Sequence, residues 1–195
     1  MIARLDLPAT VPIRSAAVVI RRATLDDLGT VLRLLTDDPI SAARDGASGV
    51  SGQEALLAHS EAFRQIAADP GNDLVVAEDA DGVVVGTLQL TLIPGLSRRG
   101  SARLLVESVR VASEQRSAGV GTALMRWVTD QAAPALAVSL VQLTSDAARV
   151  DAHRFYERLG FVGSHVGFKY AVERPGNDAG RRPSCGNSDL CARGS

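Results

Sequence analysis

Cysteine is almost missing from this sequence. Its two cysteines, Cys185 and Cys191, both lie in the last eleven of 195 residues. Neither a disulfide nor a thiolate can therefore organise the centre of the fold. The pair alone is short of the ligands a structural zinc site needs, and His59, His153 and His165 show no ligand spacing. No metal site is expected. Long hydrophobic runs are lacking too: no stretch approaches the roughly 18 apolar residues that span a bilayer. The first fifteen residues mix Arg4, Asp6, Pro8, Pro12 and Arg14, without the apolar segment of a secretory signal. No membrane association and a cytoplasmic location are the expectations. Charge of one sign is also lacking. A net charge of -1 creates no global field to recruit nucleic acid, which is not expected as a partner. No repeat at a fixed period is present.

What is there reads as one domain between two plainer ends. Residues 1–16 have little periodicity and are expected to be a flexible segment. Residues 174–195 are rich in Gly, Pro, Ser, Asn and Arg. Such a composition buries too little apolar surface to offset ordering entropy, so a disordered tail is expected. Residues 17–173 alternate in pattern. Strands are expected at 18–22, 74–78, 83–92, 103–111, 138–144 and 166–172, where apolar or β-branched residues cluster. Helices are expected over 24–35, 53–68, 119–133 and 147–159, the first capped by Thr24 with Asp26 and Asp27 in its opening turn. The pair Asp81-Gly82 marks a hairpin, and Gly160 a helix C-terminus. The order β α α β β β α β α β has a βαβ crossover only in its second half, which predicts an α/β fold with a mixed sheet.

One turn carries the chemistry. A strand ends near Val111, and Arg116-Ser117-Ala118-Gly119-Val120-Gly121-Thr122 leads into a helix. Glycines permit positive φ and close backbone approach. The first helical N–H groups lack intrahelical partners, and the helix end carries about half a positive charge. The turn is thus a candidate anion site. A nucleoside triphosphate loop would require Gly-Lys-Ser or Gly-Lys-Thr, and neither triplet occurs. A dinucleotide fingerprint requires a third glycine where this chain has Leu124, and an acidic residue nearer than Asp146.

The pattern Arg116-x-x-Gly119-x-Gly121 between strand and helix resembles the first signature of the GNAT superfamily of N-acyltransferases. The run Ala152-His153-Arg154-Phe155-Tyr156-Glu157-Arg158-Leu159-Gly160-Phe161 resembles the second, one helix and one strand later. Many members have glycine where this chain has Ser117, a change of little cost if φ stays negative there. Many have asparagine where this chain has Arg149.

The resemblance implies a mostly antiparallel central sheet flanked by helices, with a splayed strand pair that binds CoA. It implies acetyl-CoA as co-substrate, its pyrophosphate on Arg116, Ser117, Ala118, Gly119, Val120, Gly121 and Thr122. The backbone of Val109, Arg110 and Val111 would pair with the pantetheine arm, and Tyr156 would protonate the leaving thiolate. Glu107, which interrupts an apolar strand, would act as general base toward an amine. The competing readings are a core role for Tyr156 and a solvated face for Glu107. Ser145 and Asp146 could line the cleft, although a helix cap suits Asp146 better. Arg98 and Arg99 read as a solvated loop tip. The expected acceptor is a small-molecule or peptide amine. A non-catalytic acyl-CoA-binding module on the same fold is the alternative, and the oligomeric state, a homodimer included, is open.

Overall fold

The computed structural model describes residues 2–14, 16–37 and 52–172. Six strands form a sheet in the order β1 to β6: Ala9–Pro12, Ala17–Arg22, Asn72–Glu78, Val84–Ile93, Arg103–Val111 and Leu140–Leu143. Every neighbouring pair is antiparallel except β5 and β6, which run parallel. That exception is the predicted crossover. Among the described residues, the longer helices that accompany the sheet are α1 (Leu28–Thr36), α2 (Gly52–Ala68), α3 (Val120–Trp127) and α4 (Val150–Arg158). The mixed, mostly antiparallel sheet flanked by helices is the architecture expected above.

The core lies where α3 packs on the sheet. Val120, Leu124 and Trp127 of α3 are buried with Ile20, Leu88, Leu90, Leu104 and Val106. Each such side chain stabilises the fold by roughly 1.5–3 kcal/mol relative to exposure. The crowding is tight enough to dictate Gly86, where a Cβ would stand 3.1 Å from a Leu124 methyl carbon and 3.2 Å from the Arg110 carbonyl oxygen. After Trp127 the helix widens into a π turn over Val128–Ala132 and closes at Ala133–Ala135. Pro134 explains the widening, since it brings no N–H to the ladder and its ring would press on the preceding turn.

Local rules also place the entry to α1. The Thr24 amide donates to Asp27 Oδ2 at 2.7 Å and the Thr24 hydroxyl to the same oxygen at 3.1 Å. Arg21 in turn pairs with Asp27 and Glu78. Its guanidinium holds the Asp27 carboxyl down at about 2, helped by the Thr24 bonds and opposed by burial.

Two expectations are corrected. Residues 2–14 hold more structure than their pattern suggests: a 3-10 turn at Ile2–Arg4, then β1, with Ile2, Leu5 and Val11 buried in the core. Their apolar residues are irregularly spaced because a turn, not one regular element, delivers them. Residues 166–172 form no strand, and Val166, Phe168, Tyr170 and Val172 are all exposed. Alternation supplies an apolar face, but a strand also needs a ladder partner, and none pairs with this segment among the described residues. The chain divides into two compact units, Met1–Gly163 and Ser164–Ser195. The first contains every helix and strand above. The expected tail at 174–195 and both cysteines lie outside the described residues.

Candidate active site

The two strands of the parallel pair part company early. Their register runs only from Arg103↔Leu140 to Val106↔Leu143, while β5 continues to Val111. Among the described residues, therefore, one edge of residues 107–111 has no strand beside it. At the same point the other edge is irregular. The register with β4 shifts between Thr87 and Gln89, and Ser108 has φ 55. A non-glycine residue in the left-handed region marks a bulge, which turns backbone groups out of the ladder. Glu107 directly precedes this bulge, is exposed, and pairs across the strands with Gln89. Part of the opened edge is covered from within, as the Arg110 guanidinium donates to the Val109 carbonyl at 2.8 Å.

The turn after β5 follows from its dihedrals. Ser117 has φ 70 and Gly119 φ 104, and α3 starts at Val120. The value at Ser117 corrects the expectation of a negative φ. Serine accepts a left-handed conformation here at a cost of order 1 kcal/mol. The amides of Arg116 and Ala118 are used inside the turn, donating to the carbonyls of Ser113 and Gln115 at 3.2 Å each. The first helical bond runs from the Ala123 amide to the Gly119 carbonyl at 2.9 Å. The amides of Ser117, Gly119, Val120, Gly121 and Thr122 donate to no group among the described residues. They make a cluster of donors at a helix N-terminus, which suits an oxyanion.

The Arg116 side chain is committed elsewhere. It donates to the Asp37 carbonyl at 2.8 Å and to its carboxylate at 3.3 Å, and the Ser113 amide donates to the same carboxylate at 3.0 Å. The turn is thereby tied to the end of α1. Arg14 is the cation that the sequence did not point to. Its side-chain stem lies 3.7 Å from where a Cβ on Gly119 would stand.

Residues 40–161 match the Acetyltransferase (GNAT) family. The chain belongs to this family.

Among solved structures, a transcriptional regulator from Bacillus halodurans C-125 shares 38% identity, with a TM-score of 0.71 over 80% of this chain and 99% of that one. A putative acetyltransferase from Agrobacterium tumefaciens shares 27% identity at a TM-score of 0.64, over 78% of this chain and 99% of that one. A Trypanosoma brucei acetyltransferase shares 26% at 0.59, over 80% and 99%. No curated protein matches.

In this GNAT chain the second signature is largely a helix stop. The Phe161 amide donates to the Tyr156 carbonyl at 3.0 Å and the Gly160 amide to that of Glu157 at 2.9 Å, with Gly160 at φ 91. This is the Schellman pattern, with its apolar contact supplied by the Tyr156 and Phe161 rings 5.9 Å apart. Gly160→Ala should thus cost about 1 kcal/mol and lower the melting temperature by roughly 2–4 °C, read by calorimetry. An unchanged melting temperature would show that the cap contributes nothing.

The cap also fixes Tyr156. Phe155 packs edge-on against its ring at 5.2 Å, and the tyrosine lies against the core. Burial pushes its phenol above the ordinary value, against the pull of Arg110 and Arg149. The hydroxyl thus stays protonated at neutral pH. Asp146 closes the turn before α4, accepting the Ala148 amide at 2.9 Å, but it does not cap the helix as expected, because Arg149 holds the cap position, with no side-chain cap bond there. Arg98 and Arg99 occupy a left-handed turn and are exposed. No group of metal-binding side chains occurs among the described residues, and no helix there is long and apolar enough to cross a membrane.

Proposed function

We propose that the protein transfers the acetyl group of acetyl-CoA to a primary amine by direct attack in a ternary complex. The observation that carries this reading is the coincidence at residues 106–108. The parallel pairing ends at Val106, Glu107 is exposed, and Ser108 forms the bulge. A carboxylate, backbone groups released from the ladder and an unpartnered strand edge thus meet at one point. The free amides of Ser117, Gly119, Val120, Gly121 and Thr122 would hold the pyrophosphate, and the edge of Val109, Arg110 and Val111 the pantetheine arm. Arg116 acts here as a strut between the turn and α1, with its positive charge near the anion.

In this reading Glu107 takes a proton from the acceptor nitrogen, whose lone pair then attacks the thioester carbon. Backbone N–H at the bulge, near Ser108 and Val109, stabilises the oxyanion. As that intermediate collapses the C–S bond breaks, Tyr156 gives its proton to the departing sulfur, and the nitrogen loses its remaining surplus proton to solvent to leave the neutral amide. Solvent then returns a proton to Tyr156 and removes one from Glu107. Holding both reactants together replaces any covalent intermediate. Release of free thiol from acetyl-CoA, measured across a panel of amines, tests the reading, which fails if no amine raises release above background. Tyr156→Phe should lower kcat about tenfold or more with acetyl-CoA affinity held and no recovery at raised pH. A kcat equal to that of the unaltered protein would reduce Tyr156 to a packing role.

The transcriptional regulator from Bacillus halodurans favours a second reading, in which the chain binds an acyl-CoA as a signal and transfers nothing. Tight acetyl-CoA binding without amine-dependent thiol release would select it.

A further inference from the structure

Beside Glu107 lies a hydrogen-bond chain whose direction can be read from one end to the other. Asp69 begins it. One carboxylate oxygen accepts the Gly71 amide at 2.7 Å, and the other accepts Asn72 Nδ2 at 2.7 Å. A carboxylate takes only donors, so the Asn72 amide is oriented with its NH₂ toward Asp69. Its carbonyl oxygen then faces β4, where it receives the Thr91 hydroxyl at 2.7 Å and Gln89 Nε2 at 3.2 Å. The Gln89 amide is oriented in its turn. Its NH₂ is spent toward β3, and its Oε1 accepts no hydrogen bond among the described residues.

Register sets where that oxygen can act. Gln89 stands opposite Leu74 on β3 and opposite Glu107 on β5. Directly opposed residues of an antiparallel pair share a face, with Cβ atoms about 4.5–5.5 Å apart. Gln89 is half-buried and Glu107 exposed, so this face opens outward at the bulge. An amide oxygen points away from its nitrogen, so with its NH₂ drawn toward Asn72 on β3 the Gln89 carbonyl is free to turn toward Glu107, its opposite residue on β5. Two hydrogen-bond acceptors of different kinds, a carboxylate and a fixed amide carbonyl, thus flank one spot.

The geometry points to Gln89 as a second anchor for the acceptor nitrogen, holding one N–H while Glu107 removes a proton from the same atom. This rests on the acetyl-transfer reading above and adds a residue to it. An ammonium carries enough hydrogens to satisfy both acceptors, so the pair suits a nitrogen nucleophile better than a hydroxyl with its single hydrogen. An N–H fixed by Gln89 also aims the lone pair released at Glu107, and orientation of that kind is where proximity contributes to rate. Asn72 is a positioning residue, acting only through the amide that it turns.

The test uses the full chain and an amine that the thiol-release panel has shown to be acetylated. Gln89→Met, close in length but without the carbonyl, should lower kcat/KM for that amine about tenfold or more, with the acetyl-CoA KM within twofold. Its pH profile should keep the shape of the unaltered protein, because proton removal stays with Glu107. Asn72→Leu should lower the same constant several-fold in the unaltered background and add nothing in the Gln89→Met background. An unchanged kcat/KM in a folded Gln89→Met protein overturns the inference and leaves the acetyl-transfer reading standing. Equal losses from Asn72→Leu in both backgrounds overturn the orienting chain. Silence of the unaltered protein with every amine overturns both readings.

Discussion

Glu107→Gln is expected to keep the fold and the acetyl-CoA affinity while lowering kcat/KM for the amine about 10²-fold or more. Glu107 is exposed at the opening of the two strands, so the amide fits without a steric cost. What it loses is the capacity to take a proton from nitrogen. An ammonium has no lone pair to attack with, so near neutral pH the altered protein must wait for the small free-amine fraction. The deficit should shrink as pH rises toward the acceptor's own pKa, where free amine forms unaided. Initial rates across a pH series give the answer. Full activity at neutral pH would assign proton removal to water. A deficit independent of pH would make Glu107 a group that positions the amine, as Gln89 is inferred to do.

Gly119→Asp should weaken acetyl-CoA binding about 100-fold or more, and calorimetry measures it directly. Two effects combine. Gly119 sits at φ 104, outside the region that other residues enter without strain. The new carboxylate would also stand among the free amides at the start of α3, where it repels a pyrophosphate and competes for its donors. Gly119→Ala separates these terms, because it carries the strain without the charge. A Cβ there meets nothing closer than the Arg14 amide nitrogen at 3.5 Å. The alanine protein should therefore fold and lose stability of order 1–3 kcal/mol. Its affinity should fall less than that of the aspartate protein. At Gly121 a Cβ would rest 3.5 Å from Phe155 and Val111, ordinary contact, so Gly121→Asp reports on charge with little backbone strain. Acetyl-CoA affinity within threefold of the unaltered protein in either aspartate variant would refute the turn as the pyrophosphate site.

Much of this molecule was decided within a few residues at a time, and that part is legible in sequence. The Thr24–Asp27 cap, the Asp79–Gly82 hairpin, the glycine turn at 116–122 and the helix stop at Gly160 each use bonds that span only a few residues. Composition and spacing therefore contain their cause. The same locality made the paired signatures recognisable, and from them the family and its mixed sheet.

The remaining features needed partners distant in the chain. Val11 became part of a core only because β1 lies along β2, and residues 166–172, more regular in pattern, gained no ladder. The left-handed Ser108 belongs to the mismatch between β4 and β5, not to any preference of serine. Arg116 reads as an anion ligand in sequence but is bound to Asp37, 79 positions away. Gln89 carries no signal of its own. Its amide is oriented through Asn72, 17 positions earlier, and register alone sets it opposite Glu107. Sequence determined the caps, the turn and the kind of sheet, because their bonds are local. Tertiary structure decided which carboxylate is exposed where the parallel pair ends and which residue lies opposite it. Those positions depend on the strand register, which the whole sheet sets together.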